Sequence, residues 1–161
     1  MSSIGRGYTL HGSLEHYPYG VDATGLIERL GLAPHPEGGS YRETWRADAP
    51  PGVRSAGSAI LYLLEAGERS RWHRVADATE IWLFNAGGPL EVCVVAPPGP
   101  VVVTILGLDP AVDHRPQAIV PAGAWQAARP LGAWTLVSCI VVPAFEFSSF
   151  ELAPEGWEPN V

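Results

Sequence analysis

The chain has 161 residues, of which 47% are hydrophobic, so it is long enough to bury a core as one domain. Seventeen acidic residues against ten basic ones give a net charge of −7. No run of arginines forms a basic patch, which argues against a nucleic-acid partner. All ten basic residues are arginine, and the absence of lysine excludes lysine Schiff-base chemistry and a lysine-dependent phosphate loop.

The N-terminal part of the sequence has no long apolar segment, so we expect neither a signal peptide nor a membrane span. We interpret residues 1–20 as a tail or arm, residues 21–161 as a single domain, and the protein as cytoplasmic. Cys93 and Cys139 both lie in apolar runs, which is typical of free buried thiols rather than of a disulfide.

One short helix is predicted in the segment DATGLIERLGL. Asp22 can cap its start, Leu26, Ile27 and Leu30 share a face, and Gly31 can end it. We expect this helix to pack on the outside of a sheet.

Short strand-like segments follow, separated by glycine and proline pairs that are typical of turns between antiparallel strands. They are residues 40–46, 58–66, 80–85, 90–96, 101–108, 117–128 and 134–142, and the alternating FEFSSFEL near the end adds a half-exposed strand. With no internal repeat and no linker, this pattern predicts a small β-sandwich or β-barrel.

Two motifs in this strand-rich region resemble those of cupins. From Gly67 the sequence follows G-x5-H-x-V-x4-E-x6-G, which resembles the first cupin motif with a valine where its second histidine stands. VPAGAWQ resembles the second motif, P-x-G-x-x-H, with a glutamine in place of the histidine. The positions concerned are His73, Val75, Glu80, Gly87, Pro121, Gly123 and Gln126. The resemblance implies the cupin double-sheet jelly-roll barrel.

The chain is more specifically similar to the cupin-5 family of the RmlC-like cupin superfamily. The similar blocks, in order, are LGLAPHPEGGSYRETWRA, AILYLLEAGERSRWHRV, EIWLFNAGGPLEV, LGLD, PQAIVPAGAWQAA and LVSCIVVPAFEFSSFEL, which together span residues 25 to 152. The resemblance implies a homodimer, and the members of this family have no agreed activity. Members usually read EIWH, so Leu83 replaces a histidine here and is expected to remove a polar group near the pocket.

A metal site is one interpretation of these positions. Imidazole and carboxylate ligands suit iron, manganese, nickel or zinc, and a divalent metal, if bound, would be held by His73, Glu80 and Gln126. Val75 cannot ligate, and the Gln126 amide is a poor substitute for imidazole. We therefore expect no cofactor, and a metal-dependent cupin oxygenase is the third hypothesis for the function.

A metal-free ligand pocket is the interpretation we favour. Strand alternation places Glu80, Trp82 and Phe84 on one face, which cupin topology would turn into the barrel with His73 and Gln126. Such a mixture of aromatic and polar groups is the usual form of a small-molecule site. His73 beside Glu80 would serve as a general base held in one tautomer.

The chemistry that follows is proton abstraction next to a carbonyl, as in an isomerase, epimerase, lyase or cyclase. Metal-free cupins of the sugar-nucleotide epimerase type pair a histidine base with a tyrosine acid, a role open to Tyr62 or Tyr41. Gln126 is expected to hold a substrate oxygen. The second hypothesis is a non-catalytic ligand-binding module, in which His73 and Glu80 only hydrogen-bond each other within a filled barrel.

The strand SYRETWR has two interpretations. As an interface strand it would pair Arg42 with Glu43 across a homodimer, because arginine and aromatic residues are enriched in interfaces. As part of the ligand site it would place Tyr41 or Glu43 at the mouth of the pocket. The expected partners are thus a small-molecule ligand and a second copy of the chain, with neither nucleic acid nor membrane.

Overall fold

The computed structural model describes residues 22–159; the predicted N-terminal arm, residues 1–20, lies outside the described residues. Within this range the chain forms one α-helix, two short 3₁₀ turns and eleven strands. The helix is α1 (Ala23–Leu30), and the strands are β1 (Ala33–Pro34), β2 (Ser40–Arg46), β3 (Ser58–Glu65), β4 (Ser70–Val75), β5 (Thr79–Gly87), β6 (Leu90–Val95), β7 (Val102–Leu106), β8 (Gln117–Val120), β9 (Trp125–Pro130), β10 (Trp134–Val142) and β11 (Phe150–Leu152).

The strands form two antiparallel sheets that face each other as a jelly roll. One sheet has the order β1-β2-β3-β10-β5-β8 and the other the order β11-β4-β9-β6-β7. The all-β cupin fold with a short N-terminal helix is therefore confirmed. Strands that neighbour one another in a sheet are often distant in sequence, so residues from separate segments converge between the two layers.

Helix α1 has the ends that the sequence predicts. The Asp22 carboxylate accepts a hydrogen bond from the Gly25 amide at 2.8 Å, and Gly31 closes the helix with a φ of 63°. Leu26 is buried in a cluster with Leu63 and Trp134, which belong to β3 and β10. The helix therefore packs on the outer face of the six-stranded sheet, as expected.

The main core fills the space between the sheets and closes one end of the barrel. Its largest fully buried side chains include Tyr62, Trp82, Leu64, Leu90 and Leu106. At about 25 cal/mol per Å² of apolar surface, side chains of this size each contribute on the order of 1.5–3 kcal/mol when buried. This packing forms the base on which the polar side chains at the other end are held.

None of the helices in the described part of the chain has the length and apolar character needed to cross a bilayer. Cys93 and Cys139 are free thiols, as predicted.

Candidate functional site

A cavity of about 370 Å³ lies between the two sheets at the other end of the barrel. Its floor is polar and is lined by His35, Glu37, Tyr62, His73, Glu80 and Cys139. Its walls are largely aromatic, from Tyr41, Phe145, Phe147 and Phe150, and Glu43, Arg46 and Glu146 carry charge at its rim. This volume and this mixture of residues are typical of a small-molecule site.

The turn between β1 and β2 brings Glu37 into the barrel. Gly38 and Gly39 have φ values of 111° and 69°, a backbone conformation that favours glycine. A Cβ at Gly38 would clash with the Arg69 carbonyl oxygen, so the turn packs directly against the opposite sheet. The Arg71 amide donates to the Glu37 carbonyl at 2.8 Å and fixes the turn there. The Glu37 residue is 6% exposed as a result.

His73, on β4, is held in one orientation at the cavity floor. Its Nδ1 lies 2.8 Å from the Arg71 carbonyl oxygen, which can only accept, so Nδ1 carries the proton. The unprotonated Nε2 then faces the Glu37 carboxyl, 3.2 Å from Oε2. The direct carboxyl partner of His73 is thus Glu37 rather than Glu80, which the sequence led us to expect.

Glu37 is the centre of the polar cluster. Its Oε1 accepts a hydrogen bond from the Ser70 hydroxyl at 3.0 Å, and its Oε2 lies 3.5 Å from Nδ1 of His35. Nδ1 of His35 also accepts a hydrogen bond from the Glu37 backbone amide at 3.3 Å. The proton of the neutral His35 ring is therefore on Nε2. The two histidines are therefore held in opposite tautomers on either side of one carboxyl group.

Glu80, on β5, is held by a hydrogen-bonded chain that runs into the core. The Gln126 amide donates to Glu80 Oε2 at 2.5 Å, and its oxygen accepts from the Trp82 indole at 2.8 Å. Both ends of the Gln126 side chain are thereby occupied. Gln126 thus lies behind Glu80 and outside the cavity lining, whereas the expected role of holding a substrate oxygen would require it to face the cavity.

Burial brings the proton affinities of the carboxyl and imidazole groups closer together. Desolvation raises the pKa of Glu37 and of Glu80, with His35 and His73 respectively opposing the shift. Desolvation likewise lowers the pKa of His35 and of His73, with Glu37 and Glu80 respectively opposing it. Each shift moves a group's pKa toward the ordinary value of its partner, which favours proton transfer between them, as general acid–base catalysis requires.

Tyr62 and Cys139 complete the floor in their protonated forms. Burial raises the pKa of the Tyr62 hydroxyl and of the Cys139 thiol well above their usual values. The Tyr62 hydroxyl donates to the Gly38 carbonyl at 2.7 Å. To act as an acid, Tyr62 would have to exchange this backbone partner for a substrate oxygen.

The structure brings together most of the side chains that the sequence singled out. Those that line the cavity are His73, Glu80, Tyr62, Tyr41 and Glu43, together with Val75 at the position of the second cupin histidine. Trp82 and Phe84 face the interior but belong to the main core, not to the cavity lining, and Gln126 lies behind Glu80.

The expectation about Leu83 needs correction. Leu83 alternates with Trp82 and Phe84 along β5 and is not part of the cavity lining, so it lies on the opposite face of the strand and not near the pocket. Within the chain Glu43 pairs with Arg46, at 2.6 Å, and the pairing of Arg42 with Glu43 across a homodimer stays a prediction.

The sequence did not identify His35, Glu37, Ser70 or the phenylalanine wall as parts of the site. One signal was present in HPEGG, where a glutamate precedes two adjacent glycines. A charged residue next to a glycine turn is usually read as an exposed loop, and only the close approach of this turn to β4 buries Glu37.

A family model described as Cupin superfamily (DUF985), Cupin_5, matches residues 24–153. The chain belongs to the Cupin_5 family. Among solved structures, a protein from Shewanella oneidensis is 38% identical, with a TM-score of 0.78 over 83% of this chain and 85% of that one. A hypothetical protein from Leishmania major is 31% identical, with a TM-score of 0.73 over 81% and 86% of the two chains.

Oxalate decarboxylase from Bacillus subtilis is a more distant neighbour. It is 16% identical, with a TM-score of 0.57, and the match covers 74% of this chain and 29% of that one. At this identity the likeness shows the fold alone. A comparison with curated proteins found no match.

The side chains at the metal-binding positions of cupins do not fit a metal ion in this Cupin_5 protein. Val75 packs with Val141 and Ala78, and the amide of Gln126 is occupied by Glu80 and Trp82. Within the described residues, no three His, Cys, Asp or Glu side chains are grouped so as to hold a metal ion. The donor set that remains at these positions is His73 and Glu80, and Nε2 of His73 already faces Glu37.

Proposed function

We propose that this Cupin_5 protein is a metal-independent acid–base enzyme that moves a proton next to a carbonyl group of a small organic substrate. The reaction would be of the isomerase, epimerase, lyase or cyclase type. One observation carries the proposal: His73 and Glu37 are 3.2 Å apart at the floor of a cavity, with the His73 tautomer fixed by the Arg71 carbonyl.

In this proposal His73 and Glu37 act together as the proton acceptor. The Glu37 carboxyl group, which faces Nε2 of His73, passes its proton to that nitrogen and takes the proton from a carbon next to the substrate carbonyl, while the electron pair of the broken C–H bond moves onto the carbonyl oxygen. The new N–H of His73 then lies between the ring and Glu37, and the negative charge of Glu80 stabilises the imidazolium. The proton returns to the same carbon in an epimerisation or to another atom in an isomerisation.

His35 is the preferred donor to the carbonyl oxygen. It lines the cavity, and its Nε2–H is the ring proton left free by the contact of Nδ1 with the Glu37 amide. A neutral imidazole that donates a hydrogen bond stabilises the charge developing on an enolate oxygen. Tyr62 is the second choice, because its hydroxyl is bonded to Gly38.

The proposal predicts that the protein accelerates exchange of carbon-bound protons with solvent deuterium. Phenacylamine, 2-hydroxyacetophenone and phenylpyruvate each carry such protons next to a carbonyl and differ in charge. We expect chelator-treated wild type to speed exchange in at least one of them, followed by ¹H NMR in D₂O. His73→Gln should lower that rate about 10²- to 10⁴-fold, the usual contribution of a general base.

His114→Gln is the matched control, since His114 is not among the residues that line the cavity. It should exchange at the wild-type rate. The proposal fails if wild type accelerates none of the three compounds, or if His73→Gln is as fast as wild type.

A non-catalytic ligand-binding cupin is the second candidate. It is favoured by the complete hydrogen bonding of the site, because within the described residues no buried side-chain nitrogen or oxygen lacks a partner. Such a module would bind compounds in the cavity without exchanging their protons, and His73→Gln would then change affinity alone.

A further inference from the structure

The ionisable side chains around the cavity are mostly acidic. Four carboxyl groups line it, those of Glu37, Glu43, Glu80 and Glu146, against the single guanidinium of Arg46 among the described lining residues. Burial lowers the pKa of both lining histidines, so they add no fixed positive charge, and it raises the pKa of Glu37 and Glu80, which favours their neutral form until a cation lies beside them. An anionic ligand would therefore enter a site with little positive charge to meet it.

Arg46 is not available to compensate. Its Nε and Nη2 donate to the two carboxylate oxygens of Glu43 at 3.0 and 2.6 Å, and Nη2 also donates to the Phe145 carbonyl at 3.1 Å. Glu43 already neutralises the Arg46 charge, and a carboxylate or phosphate could bind Nε and Nη2 together only by displacing Glu43, which would leave another unpaired negative charge at the rim.

The walls suit a cation on an apolar body. Phe145, Phe147 and Phe150 form a cluster of edge-to-face pairs with centroid distances of 5.0, 5.7 and 6.2 Å. The faces of such rings attract cations, and an ammonium group beside Glu37 or Glu80 would favour the ionised form of these carboxyl groups. The net charge of −7 adds a favourable long-range field.

We propose that the ligand of this cavity is a small molecule with a protonated amine on an apolar, ring-sized body. This inference rests on the proposed function of the same cavity and specifies its substrate class. It excludes carboxylates and sugar phosphates as ligands, because a site without a free cation would repel their negative charge.

The test compares three probes of similar shape and different charge: 2-phenylethylamine, 2-phenylethanol and phenylacetate. Binding to the full-length protein at pH 7 is measured by isothermal titration calorimetry, with no turnover required. We expect the amine to bind about tenfold or more tightly than the alcohol, and phenylacetate to bind most weakly, as cation–π attraction and the lining carboxylates together imply.

Glu43→Gln sharpens the test because it frees Arg46 while removing one negative charge. The preference for the amine over phenylacetate should fall about tenfold or more in this variant. Glu151→Gln is the matched control: Glu151 also binds an arginine, Arg74, through Nε and Nη2, but outside the cavity lining. Its probe preferences should equal those of wild type.

The inference is overturned if the amine does not bind, if the three probes bind equally, if phenylacetate binds most tightly, or if Glu151→Gln alters the preference as much as Glu43→Gln. The proposed enzymatic function is judged separately by deuterium exchange. If the protein exchanges the protons of 2-hydroxyacetophenone or phenylpyruvate but does not prefer the amine probe, the enzymatic function is supported and the amine ligand is refuted. If it binds the amine but exchanges none of the three compounds, the amine ligand is supported and the enzymatic function is refuted.

Discussion

At the scale of single residues, the local contacts of His73 determine what it can do. The Arg71 carbonyl fixes its tautomer, and Glu37 lies 3.2 Å from the nitrogen that remains free to accept a proton. The sequence identified His73 and Glu80 through their spacing in the cupin motif. It could not identify Glu37, because the burial of that carboxyl group depends on the approach of a glycine turn to a distant strand.

The raised pKa of Glu37 predicts a pH-dependent cost to stability. A carboxyl group whose pKa is raised by folding contributes stability below its ordinary pKa, and that contribution is lost as the pH rises through the raised value. Wild type should therefore lose free energy of unfolding relative to Glu37→Gln over this range, by about 1.4 kcal/mol for each unit of pKa shift. Urea unfolding at a series of pH values measures the difference.

Asp77→Asn provides a control of opposite sign for the Glu37→Gln experiment. Hydrogen bonds from Arg54 lower the pKa of Asp77, so the stability it contributes should be lost as the pH falls through that lowered value. A wild-type curve that stays parallel to that of Glu37→Gln would contradict the buried, proton-sharing role of Glu37.

At the scale of elements, the segment from Pro143 to Phe150 builds the aromatic wall of the cavity. FEFSSFEL alternates in sequence like a strand, but Phe147–Ser149 forms a 3₁₀ turn and the strand β11 begins only at Phe150. The prediction of a continuous half-exposed strand was therefore wrong. Contacts with residues distant in sequence, such as the hydrogen bond from Arg54 to the Ala144 carbonyl, hold this backbone over the cavity. The alternation in the sequence does not reveal such contacts.

The remaining strands show the same limit of sequence patterns. The predicted segment 117–128 is two strands in different sheets, separated by a turn at Gly123 with a φ of 76°. Strand β4, which carries His73, was not predicted as a strand because Arg71 and Arg74 interrupt its apolar residues. By contrast, residues 40–46 and 134–142 match β2 and β10, because long β-rich runs depend little on their surroundings.

Arg54 should be a structural anchor of the aromatic wall. Its Nε donates to the Ala144 carbonyl at 2.8 Å, and its Nη atoms bind both oxygens of Asp77. Arg54→Ala leaves the Ala144 carbonyl without this donor, so we expect a loss of about 1–3 kcal/mol in the free energy of unfolding. Urea denaturation measures this loss.

Arg129→Ala is the control for the Arg54→Ala measurement, because Arg129 binds Glu91 at the surface. We expect it to lose less than Arg54→Ala, because exposed pairs contribute little. Equal losses in the two variants would show that Arg54 is an ordinary surface pair rather than an anchor.

At the scale of the whole molecule, the resemblance to cupins predicted the barrel. It also predicted that polar residues such as His73 and Glu80 lie inside it. Composition and strand spacing supported the same fold, and the family match over residues 24–153 confirms it. The proposed ligand, by contrast, depends on the lining carboxyl groups of Glu37, Glu43, Glu80 and Glu146, which lie in four separate segments that no local pattern relates. The homodimer through β2 stays a prediction; Trp45, 52% exposed on that strand, is the side chain that we expect to contact a second copy.

The central claim is that His73 is a neutral base with its proton on Nδ1 and its Nε2 directed at Glu37. The most direct measurement is ¹⁵N NMR of the histidine side chains across pH, with His73 assigned through His73→Gln. We predict the Nδ1–H tautomer at pH 7 and a pKa below the ordinary histidine value. An Nε2–H tautomer, or a His73 that titrates at or above the ordinary value, would contradict the account.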